Sequence, residues 1–375
     1  MKVRYPDYSH SIVNISCSIL KYFNVKDIRH DTLECLDDIL EKRKPRNIVF
    51  CLFDAMGISI LERYLSEDSF TRKHLVCPLT STFPPTTVAA TTAVNTGLTP
   101  IETGWLGWIT YFKEVDANVL TFMNTLQGTD TPACDYPLAY SVMPYRPLSA
   151  QITEINPDIT CRPIAPFPVN VTDKTVISKS IKQSCDTIVD LCAEEGRHFI
   201  YSYWDDPDYS MHKYGVDNNE HISPILKEID SNLEDLSKRI GDDTLVLVIA
   251  DHSQINSKWC FMNDYPDLYD MVLRKHTIET RAASYFVKPG MKDAFAKRFK
   301  ECFGDRFLLM THDEFLGSGL LGSGVPHPRT SGFVGDFVAI STDVYCLEDE
   351  RTDDVLKGIH AGLTEEEMMV PLIVL

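Results

Sequence analysis

Three short apolar runs in this chain each stop at an aspartate, and they restrict the fold more than any other feature. Asn47 to Phe53 (NIVFCLF) ends at Asp54. His198 to Tyr203 (HFIYSY) runs into the acid-rich loop 205–208. Thr244 to Ala250 (TLVLVIA) ends at Asp251-His252. Near-continuous apolar runs of this length read as strands covered on both faces, which points to a parallel sheet. Amphipathic stretches alternate with them. Ser223 to Ile240 places Ile225, Ile229, Leu233, Leu236 and Ile240 on one helical stripe, and Val176 to Cys192 has a similar rhythm. This alternation predicts a doubly wound α/β sheet. In such sheets ligands gather outside the carboxyl ends of the strands, where these aspartates stand.

The 375 residues allow two domains or one large α/β unit with an insertion. Residues 105–170, rich in Pro, Tyr and Thr, show little period and are expected to form long loops over the site. Residues 277–325 read as strand (Ala283 to Val287), helix (Met291 to Cys302) and strand (Phe307 to Met310), a small α+β insertion. Gly335 to Ile340 then returns to the core. A formal charge of −18 argues against a nucleic-acid polymer or an anionic membrane as partner, since both are polyanions. The same charge means that a phosphate ligand needs bound cations to invert the local field. The eleven cysteines are scattered, with no Cys-x-x-Cys pair. A disulfide framework or thiolate zinc site is not expected, and a reducing cytoplasm fits. Polar residues follow Met1 to Pro6, and no apolar run is long enough to span a bilayer.

Four further segments carry chemistry. In Ser81 to Pro100 (STFPPTTVAATTAVNTGLTP), Pro84-Pro85 precede a short helix over Val88 to Thr96 with Gly97 at its C-cap. Thr86 or Thr87 then stands at the helix N-terminus, beside N–H groups that favour a phosphate. The plain alternative is a helix cap, because a threonine hydroxyl needs a metal or a base to become nucleophilic. Asp208 and His212, spaced Asp-x3-His, suit a loop carboxylate and an imidazole on the first turn of a helix. The Asp251-His252 pair can reach one metal. His360 lies between Gly358 and Gly362, ahead of a Thr364–Glu367 capping box. Each of these, like Asp54, is by itself an ordinary turn or cap. Together they offer one hydroxyl and six oxygen or nitrogen donors, enough to hold two divalent metals around one nucleophile. The remaining histidines read as structural, His327 as structural or substrate-adjacent. Trp105, Trp108 and Tyr111 read as core aromatics rather than as a stacking surface.

The order Asp…Thr…Asp-x3-His…Asp-His…His resembles the alkaline-phosphatase superfamily and, within it, the type I phosphodiesterase/nucleotide pyrophosphatase family. The resemblance runs from about Ile48 to Leu375. It implies a single catalytic domain over 1–375, a three-layer α/β sandwich with a mostly parallel central sheet. It also implies Thr87 as nucleophile, placed by the spacing back from Thr96-Gly97-Leu98. One metal would take Asp208, His212 and His360; the other would take Asp54, Thr87, Asp251 and His252. The implied cofactors are two divalent ions, zinc or else manganese, and the implied partner is a small-molecule phosphate ester. The family carries a Gly-Asn pair whose Asn helps hold a phosphoryl oxygen, and Gly107-Trp108 stands at that place here. A phosphomonoesterase or phosphonate hydrolase would use the same residues. A related mutase would prefer serine and a second, basic pocket, for which this acidic chain has no basic cluster. A non-catalytic metal-binding module is the remaining alternative.

Overall fold

The computed structural model describes residues 1–168, 175–353 and 355–375. The run Asn47–Phe53 forms strand β1, buried along its whole length. Six more strands join it: Leu75–Thr80 (β2), Ile159–Ala165 (β3), Val176–Ile177 (β4), Arg197–Trp204 (β5), Thr244–Ile249 (β6) and Met369–Val374 (β7). Their order is β2-β7-β6-β1-β5-β3-β4. β1 lies between β5 and β6 and is parallel to both, with Phe53 level with Trp204 and Leu52 level with Ile249. The three chains therefore leave the sheet side by side, so their terminal acids converge without any special loop. β3 and β4 continue the parallel pairing, whereas β7 runs antiparallel to both its neighbours, β6 and β2.

A strand buried on both faces needs cover on both. Helices Ile12–Tyr22, Glu34–Arg43, Thr87–Thr96 and Leu148–Ile155 form one contacting group, and Ile58–Tyr64, Ile181–Ala193 and Asn219–Arg239 form another. The long helix Asn219–Arg239 buries Ile222, Leu226, Ile229, Leu233 and Leu236. Ile225 and Ile240, expected on that stripe, are only half-buried. The helix expected from Val176 begins later, at Ile181, where the Ser180 hydroxyl accepts the Gln183 N–H at 3.1 Å. Val176 and Ile177 are instead the edge strand β4. No helix among the described residues is long and apolar enough to cross a membrane.

Two expectations are corrected by a second, antiparallel sheet. Its order is Phe307–Thr311, Phe337–Ser341, Ala282–Tyr285, Thr277–Glu279, Ile109–Phe112, Ala117–Leu120, Thr125–Leu126. Residues 105–170 are thus not loops. They supply three strands to this sheet, two helices (Leu138–Val142 and Leu148–Ile155) and β3 to the central one; residues 169 and 170 lie outside the described residues. Strands of two to four residues are too short to establish a period. Within 277–325 the strand, helix and strand form as expected, with the helix at Lys292–Phe303. Phe337–Ser341, however, pairs with Phe307–Thr311 and Ala282–Tyr285 instead of returning to the central sheet. An apolar strand says that it is buried, not which sheet it joins. Trp105 is fully buried as core, its indole N–H donating to the Met143 carbonyl at 2.9 Å.

The second sheet is fastened by a buried ion pair. His276 and Asp349 are both inaccessible, with Nδ1 and Oδ2 2.7 Å apart. Burial alone would lower the His276 imidazole, but the Asp349 carboxylate more than offsets it and raises the group from 6.5 to about 9. A raised histidine stabilises the fold fully below its unfolded value and ceases to do so as pH rises through its folded one. The contribution, on the order of 3 kcal/mol, should therefore fade between pH 6.5 and 9. Urea unfolding should show the wild-type midpoint falling across that window. His276→Gln should be less stable at the acid end and lack this loss; a parallel decline in both proteins would contradict the assignment.

Candidate active site

All seven residues singled out in the sequence meet at the carboxyl ends of β1, β5 and β6. Asp54, Asp251 and His252 follow β1 and β6 directly and are at most 2% exposed. The chain after β5 turns into the helix Asp208–Tyr214, which carries Asp208 and His212 one turn apart. Thr87 is the first residue of the helix Thr87–Thr96, whose small side chains let it lie almost wholly buried; Gly97 closes it with φ of 71°. His360 arrives just ahead of β7, in a turn fixed by Glu367. The Glu367 carboxylate accepts the Gly362 N–H at 2.8 Å and the Thr364 hydroxyl at 2.5 Å.

Two donor clusters result. Asp208, His212 and His360 form one; Asp54, Asp251 and His252 form the other. In the second, His252 Nε2 lies 3.3 Å from Asp54 Oδ1 and 3.5 Å from Asp251 Oδ2. The Thr87 hydroxyl is 3.2 Å from the same Nε2 and donates to Asp54 Oδ2 at 3.3 Å. Donors around a tetrahedral zinc with bonds near 2.0–2.1 Å stand about 3.3 Å apart, so this spacing fits a metal. In the first cluster Asp208 Oδ2 is 3.2 Å from His212 Nε2, and Asp208 Oδ1 is 3.8 Å from His360 Nε2. The clusters adjoin: the His252 and His360 rings stack at 3.9 Å.

Further observations support cation binding. Asp54 Oδ1 and Asp251 Oδ2, the oxygens facing His252, are buried without a hydrogen-bond partner. Such atoms are costly unless an ion or water satisfies them. Each histidine turns Nδ1 toward a backbone carbonyl: His212 to Gly358 at 2.8 Å, His252 to Ser253 at 3.2 Å and His360 to Pro85 at 3.1 Å. A carbonyl only accepts, so Nδ1 carries the proton and Nε2 keeps its lone pair for a metal.

The electrostatics agree. Burial, then the nearby Asp251 and Asp208 charges, push Asp54 well above the carboxylate range, and burial also raises Asp251. Burial would raise Asp208 too, but the His212 imidazole reverses this and holds it low. Burial, aided by His252, keeps the His360 imidazole well below its ordinary value. Crowded carboxylates raised by burial, beside a His360 imidazole held toward its neutral form, are what a divalent ion would discharge.

Several contributors escaped the sequence reading. The Tyr203 hydroxyl donates to Asp54 Oδ2 at 2.5 Å. Gln254 donates its amide to Asp208 Oδ1 and to the Asp208 carbonyl. Glu279, at the end of a second-sheet strand, accepts from the Thr86 hydroxyl at 2.6 Å, so that hydroxyl is engaged there. Burial pushes Glu279 up to about 7. Arg281, fully buried, forms two 2.7 Å bonds to Glu367, the residue that fixes the His360 turn. Removing one partner of a buried pair strands the other's charge, at a cost of roughly 3–5 kcal/mol. Arg281→Met should accordingly lower thermal stability sharply and weaken metal uptake in a metal titration. Unchanged values of both would contradict this role.

The model of the type I phosphodiesterase/nucleotide pyrophosphatase family matches residues 52–362. The chain belongs to that family. Solved structures share this architecture. Murine ectonucleotide pyrophosphatase/phosphodiesterase 5 superposes with a TM-score of 0.67 over 87% of both chains at 15% identity. Phosphonoacetate hydrolase from Sinorhizobium meliloti, in complex with phosphonoformate, gives 0.65 over 88% of this chain and 90% of that one, also at 15% identity. These likenesses identify the alkaline-phosphatase-like fold. Human bis(5'-adenosyl)-triphosphatase ENPP4 is 33% identical over 86 residues, which span 20% of this chain and 19% of that protein. Its Xenopus laevis counterpart is 37% identical over 60 residues, 15% of this chain and 13% of the relative.

Proposed function

We propose that the chain hydrolyses phosphate diesters or nucleotide pyrophosphates, with Thr87 as nucleophile. Asp208, His212 and His360 hold one divalent ion, and Asp54, Thr87, Asp251 and His252 hold the other. One observation carries this reading: the Thr87 hydroxyl lies within 3.3 Å of donors in one cluster, and the other cluster is stacked against it. The mixed imidazole and carboxylate donors suit zinc, with manganese as the alternative. When bound, such ions supply Lewis-acid charge for the attacking, phosphoryl and leaving oxygens.

The chain's own residues do the rest. Asp54 Oδ2 accepts the Thr87 hydroxyl and aims its oxygen, while Tyr203 holds the same Oδ2 from the other side. The N–H groups of the first helical turn have no acceptor within the helix and can receive a phosphoryl oxygen. The Thr87 oxygen bonds to phosphorus as the ester's leaving oxygen departs, giving a phosphothreonine. Water then cleaves that bond and restores the hydroxyl. Murine ectonucleotide pyrophosphatase/phosphodiesterase 5 lends support, since a threonine-to-alanine variant in complex with AMP is inactive. The phosphonoacetate hydrolase likeness favours a second reading, a phosphomonoesterase or phosphonate hydrolase on the same residues. Rates on thymidine p-nitrophenyl phosphate, bis-p-nitrophenyl phosphate and p-nitrophenyl phosphate, with zinc or manganese, decide between them. Preference for either diester supports the first reading; preference for the monoester supports the second.

A further inference from the structure

Gln254 stands two residues beyond His252 and is 1% exposed. Its amide nitrogen directs both hydrogens at Asp208, one at the main-chain carbonyl, 3.2 Å away, and one at the carboxylate Oδ1. Its own Oε1 is buried and accepts from no described residue. The amide cannot be turned over, because Oε1 would then face two acceptors. The fold therefore keeps a buried oxygen without a donor and the N–H groups on Asp208. Such an orphan destabilises the folded chain, and the hold on Asp208 outweighs it.

The same side chain lies against the support of His212. The Gly358 carbonyl faces His212 Nδ1 at 2.8 Å, and a Cβ at Gly358 would collide with Gln254 Oε1 and with the Met211 carbonyl. The next residues pair antiparallel, Ile255 with Ile359 and Asn256 with Gly358, directly ahead of His360. One short segment, 252–256, thus carries a donor of the second cluster and braces all three donors of the first. The residue type suits the place. A lysine would repel an incoming cation, and a carboxylate would repel Asp208. An amide donates hydrogen bonds and brings neither charge.

We propose that Gln254 is a positioning residue for the first metal cluster, presetting Asp208 beside His212 and His360 from a segment that belongs to the second. The inference rests on the two-metal reading above and adds the residue that links the two sites.

Gln254→Met keeps the volume and removes the amide. Competition with a chromophoric chelator should resolve two zinc dissociation constants in the wild-type protein. In the variant one of them should rise by roughly tenfold to a hundredfold, while the other stays within about threefold. Zinc anomalous peaks from crystals at limiting zinc should then be depleted among Asp208, His212 and His360 alone. Two constants as in wild type would overturn the proposal. An equal rise in both would mark a general loosening and overturn it as well, as would depletion at Asp54, Asp251 and His252 instead. Should Gln254→Met fail to fold, Gln254→Asn, whose amide falls one methylene short of Asp208, should give the same selective loss. Wild-type protein that binds no zinc would be a separate failure, taking down the two-metal reading together with this inference.

Discussion

Thr87→Ala is expected to keep its bound divalent ions and to lose hydrolysis by roughly 10³-fold or more, the scale on which a covalent nucleophile's removal is felt. The separation of effects follows from the geometry. Asp54, Asp251 and His252 remain as donors when the hydroxyl goes, so metal content should change little. No other hydroxyl replaces the lost one. Thr86 is adjacent but its hydroxyl is engaged by the Glu279 carboxylate. Thr86→Ala should therefore cost about tenfold or less, through looser placement of Glu279 and the helix start. Steady-state rates on bis-p-nitrophenyl phosphate, with metal content measured on the same samples, separate the two. A Thr87→Ala protein with two metals and near-normal rates would show that water or another residue attacks phosphorus.

Chelation should have the second largest effect. Removing the ions should abolish turnover and also lower thermal stability, because ligands that bind only the folded chain stabilise it by mass action. The pH dependence of the metal-free protein has a definite sign. Burial raises Asp54 and Asp251 in the folded chain, so the folded state holds protons that the unfolded state releases. Stability of the metal-free form should then fall as pH rises above about 4. The zinc-loaded protein should be spared that loss, because the ions hold both groups ionised. Thermal melts with and without chelator between pH 4.5 and 7.5 measure this. Curves that run parallel would mean that no ion discharges these carboxylates.

The central strands were legible because their burial is written into composition. Asn47–Phe53 forms as read, and Thr244–Ile249 differs by one residue at its end. Met369–Val374 was not foreseen, since it holds Pro371 and its antiparallel partner Leu75–Thr80 alternates in burial. Most of the candidate metal donors could be read because they directly follow or open an element, where a polar residue after an apolar run is conspicuous; His212, inside the helix Asp208–Tyr214, was read from its spacing to Asp208. Tyr203, Gln254 and Glu279 gave no such signal. Tyr203 reads as one more aromatic in a strand, and its partner Asp54 is 149 residues away. Glu279 meets Thr86 across 193 residues, and only the second sheet, itself unread in the sequence, brings them together. Local pattern reveals where a side chain is buried; it does not reveal what faces it.

Anomalous diffraction from zinc-loaded crystals bears most directly on the claim that distant segments cage two cations beside one hydroxyl. The account requires two peaks about 4 Å apart, one among Asp208, His212 and His360, the other among Asp54, Asp251 and His252 and within bonding distance of Thr87. A single peak, or a pair remote from the Thr87 oxygen, would contradict it.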